Sequence, residues 1–169
     1  MTSISEHGSV QAAFQHLSES EKDPKTQEFD EASDLDGGGD EDIIDRTTFD
    51  QLLEMDDDDE RDFSKSIVWD YFDQAQATFK DMDNSLEKKD LEALSRLGHF
   101  LKGSSAALGL TKVKASCEKI QHNGNLKDAT GTTTIGEQEA LQLVTNLLKQ
   151  VKREYKQAEV YLRHFYQEA

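Results

Sequence analysis

The sequence predicts an all-α protein: an antiparallel four-helix bundle preceded by a short extra helix and a disordered acidic N-terminal arm. Three observations lead to this prediction. Pro24 is the only proline, so the last 145 residues contain none. In that stretch apolar residues recur at spacings of three and four, the period of an α-helix. Negative charge is concentrated at the start, since residues 1–60 hold 20 acidic and 3 basic side chains while residues 61–169 hold 15 and 16.

Residues 1–42 are predicted to form the disordered arm, and residues 43–169 the bundle domain. The arm contains the proline, three consecutive glycines at 37–39 and only isolated apolar residues. Such a segment buries too little apolar surface to offset the entropy lost on ordering. A short helix over residues 10–17 is the one regular element predicted in it.

The first two predicted helices of the bundle domain are separated by a run of acidic residues. A short helix over 47–55 begins at an Asp45 or Thr47 cap and ends at that run, residues 56–60. The second helix, 62–86, repeats apolar residues at spacings of 4, 3, 4, 3 and 4. The carboxylates that precede it favour a helix N-terminus.

The last three predicted helices complete the bundle. The third, 90–108, stops before Gly109, which suits the position just after a helix, and the fourth, 111–121, is followed by Gly124. The fifth, 137–166, alternates apolar residues by three and four without a break, as a bundle seam does. Short connections between four long helices predict antiparallel packing, with the short first helix as a lid.

Composition excludes several classes of function. A net charge of −16 disfavours nucleic-acid binding, because each phosphate contact needs Lys or Arg. No apolar run approaches the roughly 18 residues that span a bilayer, so no membrane partner is expected. Cys117 is the single cysteine and is expected to be a small core residue. The chain opens without a signal peptide and is expected in the cytoplasm and nucleus.

The third predicted helix carries the residues that indicate a function. At about 100° per residue its leucines fall on one face and His99 lies roughly opposite. The imidazole is therefore predicted to stand on a surface without bulky neighbours. The outward face around it holds small residues and one lysine: Ser95, Lys102, Gly103 and Ala106.

Glycines at positions 98 and 103 flank His99, and each costs about 1 kcal/mol relative to alanine in a helix interior. Gly103, at i+4 from His99, is expected to clear the space over the ring for a second macromolecule. Lys102, at i+3, is expected to place an ammonium beside a group attached to the ring. Neutral imidazole is a nucleophile, so the constellation suits a phosphoryl adduct on His99.

No sequence motif supplies a hydrolytic site: there is no Walker loop, no HExxH, no Cys–His metal spacing and no nucleophile elbow. A partner is therefore expected to bring the catalytic groups.

The segment HFLKGSSAALGL, residues 99–110, resembles the phosphorylation-site helix of fungal histidine-containing phosphotransfer (HPt) proteins. The resemblance extends through SKSIVWDYFDQAQATF (64–79) and CEKIQ (117–121) and covers residues 43–169. It implies a monomeric helical bundle in a two-component phosphorelay. Such a protein accepts a phosphoryl group from the aspartyl phosphate of a hybrid sensor kinase receiver domain and passes it to the Asp of a response regulator receiver domain.

The resemblance also implies roles for individual residues. His99 is the phosphorylated residue, Lys102 steadies the phosphoryl charge, Gly103 keeps the approach open, and Gln121 forms a hydrogen bond in the site. The two serines after Gly103 pack closely between helices. The chain is expected to hold no cofactor of its own, since Mg²⁺ comes from the receiver domain. Transfer is expected only with such partners, so the chain is not expected to be an enzyme on its own.

Docking of a receiver domain needs an apolar patch beside the histidine. The short first helix and the start of the second offer Leu52, Met55 and Phe63. The alternative is that one or two of these residues only cover the end of the bundle.

Two other functions remain open from the sequence. One is a non-catalytic acidic helical adaptor that binds partner helices, although such a protein has no need for the bare surface around His99. The other is a degenerate calcium-binding protein, because residues 34–45 loosely resemble an EF-hand loop. The match is weak, since Gly38 stands where a ligand belongs and Asp45 stands where a Glu is expected. The remaining histidines, His7, His16, His122 and His164, are interpreted as surface or helix-end residues.

Overall fold

The computed structural model describes residues 43–57 and 59–167. The predicted arm, its helix over 10–17 and most of the EF-hand-like segment lie outside these residues. The described chain forms α1 (Arg46–Leu53), α2 (Asp62–Glu87), α3 (Leu91–Leu108), α4 (Thr111–Gly124) and α5 (Glu137–Phe165). The all-α class and the five helices are confirmed, with ends within three residues of the predicted ones.

Carboxylates begin the first three helices. Asp45 caps α1 by accepting the backbone N–H of Thr47 at 3.1 Å, and Asp90 caps α3 in the same way. The start of α2 is held by Asp56, which accepts the backbone N–H of Ser64 at 2.7 Å and its hydroxyl at 2.6 Å. Asp56, the first residue of the acidic run, therefore stabilises the start of α2.

The four long helices enclose one apolar core. α3 packs against α2 and α4, and α5 packs against the same two helices from the other side, while α1 lies against α3. Burying one large apolar side chain contributes about 1.5–3 kcal/mol, so the core is the main source of stability. Its largest fully buried side chains include Tyr71, Phe72, Met82, Leu101 and Ile120.

Aromatic rings hold the C-terminal end of α5 against α1 and α2. The rings of Phe165 and Phe49 meet edge-on with centroids 5.3 Å apart, and the Arg61 guanidinium lies 4.9 Å from the Phe165 centroid. The Tyr166 hydroxyl donates to the Ser64 hydroxyl at 2.8 Å. These contacts fix α1 over the end of the bundle.

The two helices of the α3–α4 hairpin approach each other most closely at glycines. A Cβ on Gly98 would lie 2.9 Å from the Cys117 carbonyl oxygen and 3.0 Å from the Gln121 backbone nitrogen. A Cβ on Gly124 would lie 2.7 Å from the Ser95 backbone nitrogen. Neither site has room for a side chain. The prediction that Ser95 faces outward is wrong, because the end of α4 covers it and leaves it 8% exposed.

A buried hydrogen bond joins α2 to α3. The Tyr71 and Ser105 hydroxyl oxygens are 2.8 Å apart, and both residues are fully buried. Burial raises the pKa of Tyr71 above its usual range, so the phenol stays neutral and available for this bond.

Removing one partner of this bond is expected to cost more than removing both. Tyr71→Phe leaves the Ser105 hydroxyl buried without its partner, which should lower the free energy of unfolding by about 1–3 kcal/mol. Urea unfolding followed by circular dichroism measures this change. The double variant with Ser105→Ala should lose less than the sum of the single losses, and additive losses would contradict a hydrogen bond between the two groups.

Candidate functional site

The outer face of α3 carries a stripe of solvent-facing residues. His99 lies at its centre and is exposed, whereas the opposite face of the helix is buried in the core. This is the orientation that the helical pattern predicts, and it makes the imidazole accessible to another molecule. The stripe follows spacings of 4, 3, 4 and 3 through Glu92, Arg96, His99, Gly103 and Ala106.

Gly103 leaves the helix bare beside His99. Side chains on a helix lean towards its N-terminus, so a side chain at position 103 would lie over the ring of His99. A Cβ built on Gly103 would meet no atom within 4 Å, in contrast to Gly98. Packing within the described residues therefore does not require glycine here, and the effect of Gly103 is to open one side of the imidazole.

Lys102 lies between His99 and α4. At about 100° per residue its side chain is about 60° from that of His99, on the side towards Gly98 and α4. It is half-buried. Burial raises the pKa of the Cys117 thiol above its usual range and the Glu154 carboxylate raises it further, whereas the ammonium of Lys102 lowers it. The charge of Lys102 therefore reaches Cys117 of α4, across the groove between the two helices.

Gln121 faces the same groove from α4. Its backbone nitrogen lies opposite Gly98, the residue before His99. Its side-chain oxygen Oε1 is buried and has no hydrogen-bond partner among the described residues. An unpaired buried acceptor is costly, and rotation of the amide exchanges its oxygen with its N–H group, so this side chain can present an N–H donor to a ligand in the groove. The hairpin thus places Lys102 and Gly103 on either side of His99 and the Gln121 backbone next to Gly98.

Two of the three predicted docking residues lie at the surface. Met55 is 36% exposed after α1, and Phe63 is 41% exposed at the start of α2. The prediction for Leu52 is wrong, because its side chain is 0% exposed. Leu52 packs in the core with Ile44 and Phe49, so it stabilises the end of the bundle and presents nothing to a partner.

The neighbouring small residues have the structural positions that the sequence indicates. Ser104 and Ser105 are buried between helices, and the Ser104 hydroxyl lies 3.4 Å from the Phe100 carbonyl oxygen. Cys117 is fully buried in the core.

The other described histidines lie at helix ends. His122 is in the last turn of α4, where its Nδ1 is 2.9 Å from the Ala129 carbonyl oxygen. This contact links the end of α4 to the loop that follows it. His164 is exposed in the last turn of α5. The predictions for His7 and His16 fall outside the described residues.

Within residues 43–57 and 59–167, no three side chains among His, Cys, Asp and Glu are grouped so as to hold a metal ion. Asp45, the last position of the EF-hand-like segment, is engaged as the α1 cap. None of the helices described has both the length and the apolar character required to cross a membrane.

The Hpt domain family matches residues 66–154, which is more than half of the chain and includes all of α3 and α4. This chain belongs to the Hpt domain family.

Curated relatives of this Hpt protein are fungal phosphorelay proteins. It is 54% identical over 129 residues to multistep phosphorelay regulator 1 of Schizosaccharomyces pombe, an alignment that covers 76% of this chain and 44% of the relative. It is 51% identical over 83 residues to phosphorelay intermediate protein YPD1 of Saccharomyces cerevisiae, covering 48% of this chain and 49% of the relative. The alignments thus span less than half the length of these relatives.

Solved structures confirm the four-helix bundle. The crystal structure of the yeast phosphorelay protein YPD1 matches with a TM-score of 0.63 at 34% identity, covering 73% of this chain and 94% of that one. A co-crystal structure of the S. cerevisiae histidine phosphotransfer signalling protein Ypd1 with the receiver domain of its downstream response regulator Ssk1 matches with a TM-score of 0.64 at 37% identity, with the same coverage.

The two glycines of α3 are expected to respond oppositely to alanine. Gly98→Ala should lower the free energy of unfolding by about 1–3 kcal/mol, because the methyl group meets the α4 backbone. Gly103→Ala should raise it by up to about 1 kcal/mol, since the methyl group enters open space in a helix interior. Urea denaturation of both variants measures the difference. Equal destabilisation by the two substitutions would contradict the assigned surroundings.

Proposed function

We propose that this chain is a phosphocarrier in a multistep phosphorelay. His99 accepts a phosphoryl group from the aspartyl phosphate of a hybrid kinase receiver domain and passes it to the Asp of a response regulator receiver domain. The observation that carries this proposal is the exposed His99, bordered by Lys102 and by the bare backbone at Gly103. The phosphorelay relatives, and the solved complex of Ypd1 with the receiver domain of Ssk1, support receiver domains as partners.

The chemistry asks for positioning and charge stabilisation rather than covalent machinery. An imidazole nitrogen of His99 attacks phosphorus as the bond to the aspartate oxygen breaks, and the carboxylate leaves with the bonding electrons. In the second step the same nitrogen is the leaving group. Lys102 offsets the charge on the phosphoryl oxygens in both steps, and the amide of Gln121 offers a further hydrogen bond after rotation to present its N–H.

A carrier must also keep its phosphoryl group until it meets the next partner. Within the described residues neither ring nitrogen of His99 is hydrogen-bonded to a carboxylate, unlike a catalytic histidine that activates water. The adduct is therefore expected to persist without a receiver domain present. We accordingly propose that the chain is inert on its own and that the receiver domain supplies the catalytic groups.

We likewise propose that the receiver domain holds the Mg²⁺ needed for transfer. We further propose that the chain acts as a monomer in the cytoplasm and nucleus.

Phosphate is expected to move onto His99 when the purified protein is mixed with a phosphorylated receiver domain and Mg²⁺. The product should be acid-labile and alkali-stable, as expected for a phosphoramidate bond, and His99→Gln should abolish it. His164→Gln is the matched control, since this exposed histidine is remote in sequence from the α3–α4 hairpin. Absence of transfer from several receivers to the folded wild-type protein would contradict the proposal and favour the adaptor function.

Transfer is expected to slow in proportion to the size of the side chain at position 103. Gly103→Gln should lower the transfer rate about tenfold or more, because its side chain leans over His99 and obstructs the in-line approach. Gly103→Ala should lower it less, and neither variant should unfold more readily than wild type. Rapid-quench kinetics measures the rates. A Gly103→Gln protein that transfers like wild type would show that access to His99 does not pass over this position.

A further inference from the structure

Arg96 shares the exposed stripe of α3 with His99. It precedes His99 by three residues, so its side chain leaves the helix about 60° from that of His99, on the flank away from Lys102. His99 therefore stands between two cations, Lys102 on the side towards α4 and Arg96 on the opposite side. The lysine leans towards the imidazole, whereas the arginine leans away from it towards the N-terminus of α3. Arg96 is thus placed to meet a partner rather than the phosphoryl group.

Arg96 is uncommitted within the part of the chain that the structure describes. Two other arginines form ion pairs, Arg46 with Asp50 at 3.1 Å and Arg163 with Glu159 at 2.9 Å. Arg96 forms none, although the exposed Glu92 lies one turn before it on the same stripe. Its planar set of five N–H donors is therefore available to bind a carboxylate in two-point geometry.

The charge of the hairpin favours an acidic partner. The full chain has a net charge of −16, yet residues 91–124 hold five basic and two acidic side chains, a net charge of +3. The hairpin that carries His99 is thus positive, although the chain as a whole is negative. A surface of this kind raises the rate of encounter with a negatively charged partner, and the effect weakens as salt is added.

We propose that Arg96 is a docking residue that binds a carboxylate on the receiver domain at the edge of its Mg²⁺ site. Mg²⁺ is held by oxygen ligands, commonly carboxylates, so the partner brings acidic side chains close to His99 during transfer. The guanidinium of Arg96 binds one of them and so strengthens the encounter and the docked complex. This inference rests on the proposed phosphocarrier function and adds to it a docking residue that does not touch the phosphoryl group.

The test compares the kinetics of transfer from one phosphorylated receiver domain at a series of salt concentrations. At low salt, Arg96→Gln should lower kcat/KM about two- to fivefold and Arg96→Glu should lower it further, as expected for a surface ion pair and its reversal. Arg96→Lys should restore part of the loss. The single-turnover rate at saturating receiver should stay at the wild-type value, and the dependence of kcat/KM on salt should become weaker.

Arg153→Gln is the matched control, because it removes the same charge from an exposed position on α5, a helix that packs against α2 and α4. It should leave both kcat/KM and its salt dependence close to wild type. Arg96 variants that behave like this control would overturn the inference while leaving the phosphocarrier function intact. The inference would also be overturned if the Arg96 variants lowered the single-turnover rate at saturating receiver by the same factor at every salt concentration. Failure of the wild-type protein to accept phosphate would overturn the proposed function itself.

Discussion

The close contact between α3 and α4 at Gly98 is the constraint on which the functional surface depends. With no side chain at this position, the backbones at Cys117 and Gln121 approach α3 directly. The contact fixes the rotation of α3 about its own axis, because only the glycine face can meet α4 so closely. Once that face is set, the helical repeat turns His99 to solvent, with Lys102 next to the groove. The same contact brings Gln121 alongside the histidine without any motif linking the two in sequence.

Two glycines in one helix therefore serve opposite purposes. Gly98 is required by packing inside the chain, and the core offsets its conformational cost. Gly103 has open space where a side chain would stand, so packing among the described residues does not explain it. A helix weakened at an exposed position is the kind of local inconsistency that accompanies a functional surface. Glycine lowers helix stability equally at the two positions. Only the structure shows that Gly98 is required by packing and that Gly103 opens the approach to His99.

The helices and their caps could be predicted from sequence because they depend on local chemistry. Apolar periodicity, the carboxylate of Asp45 and the glycine at 109 are all short-range signals; Gly109 ends α3 with φ +81°. Leu52 and Ser95 could not be placed in this way. Which side of the short α1 is buried depends on Phe165, more than a hundred residues away, and Ser95 is covered by the end of α4. Arg96 could not be singled out from sequence either, because spacing alone does not show which surface cations already have partners.

A chase experiment measures most directly whether the chain carries a phosphoryl group between two receiver domains. A labelled receiver domain would first transfer its phosphate to the protein, and the labelled protein would be separated and mixed with an unlabelled second receiver domain and Mg²⁺. The label should stay on the protein during separation and then appear on the second receiver, with little released as inorganic phosphate. Label that is lost as inorganic phosphate before the second receiver is added, or that never leaves the protein, would contradict the phosphocarrier function.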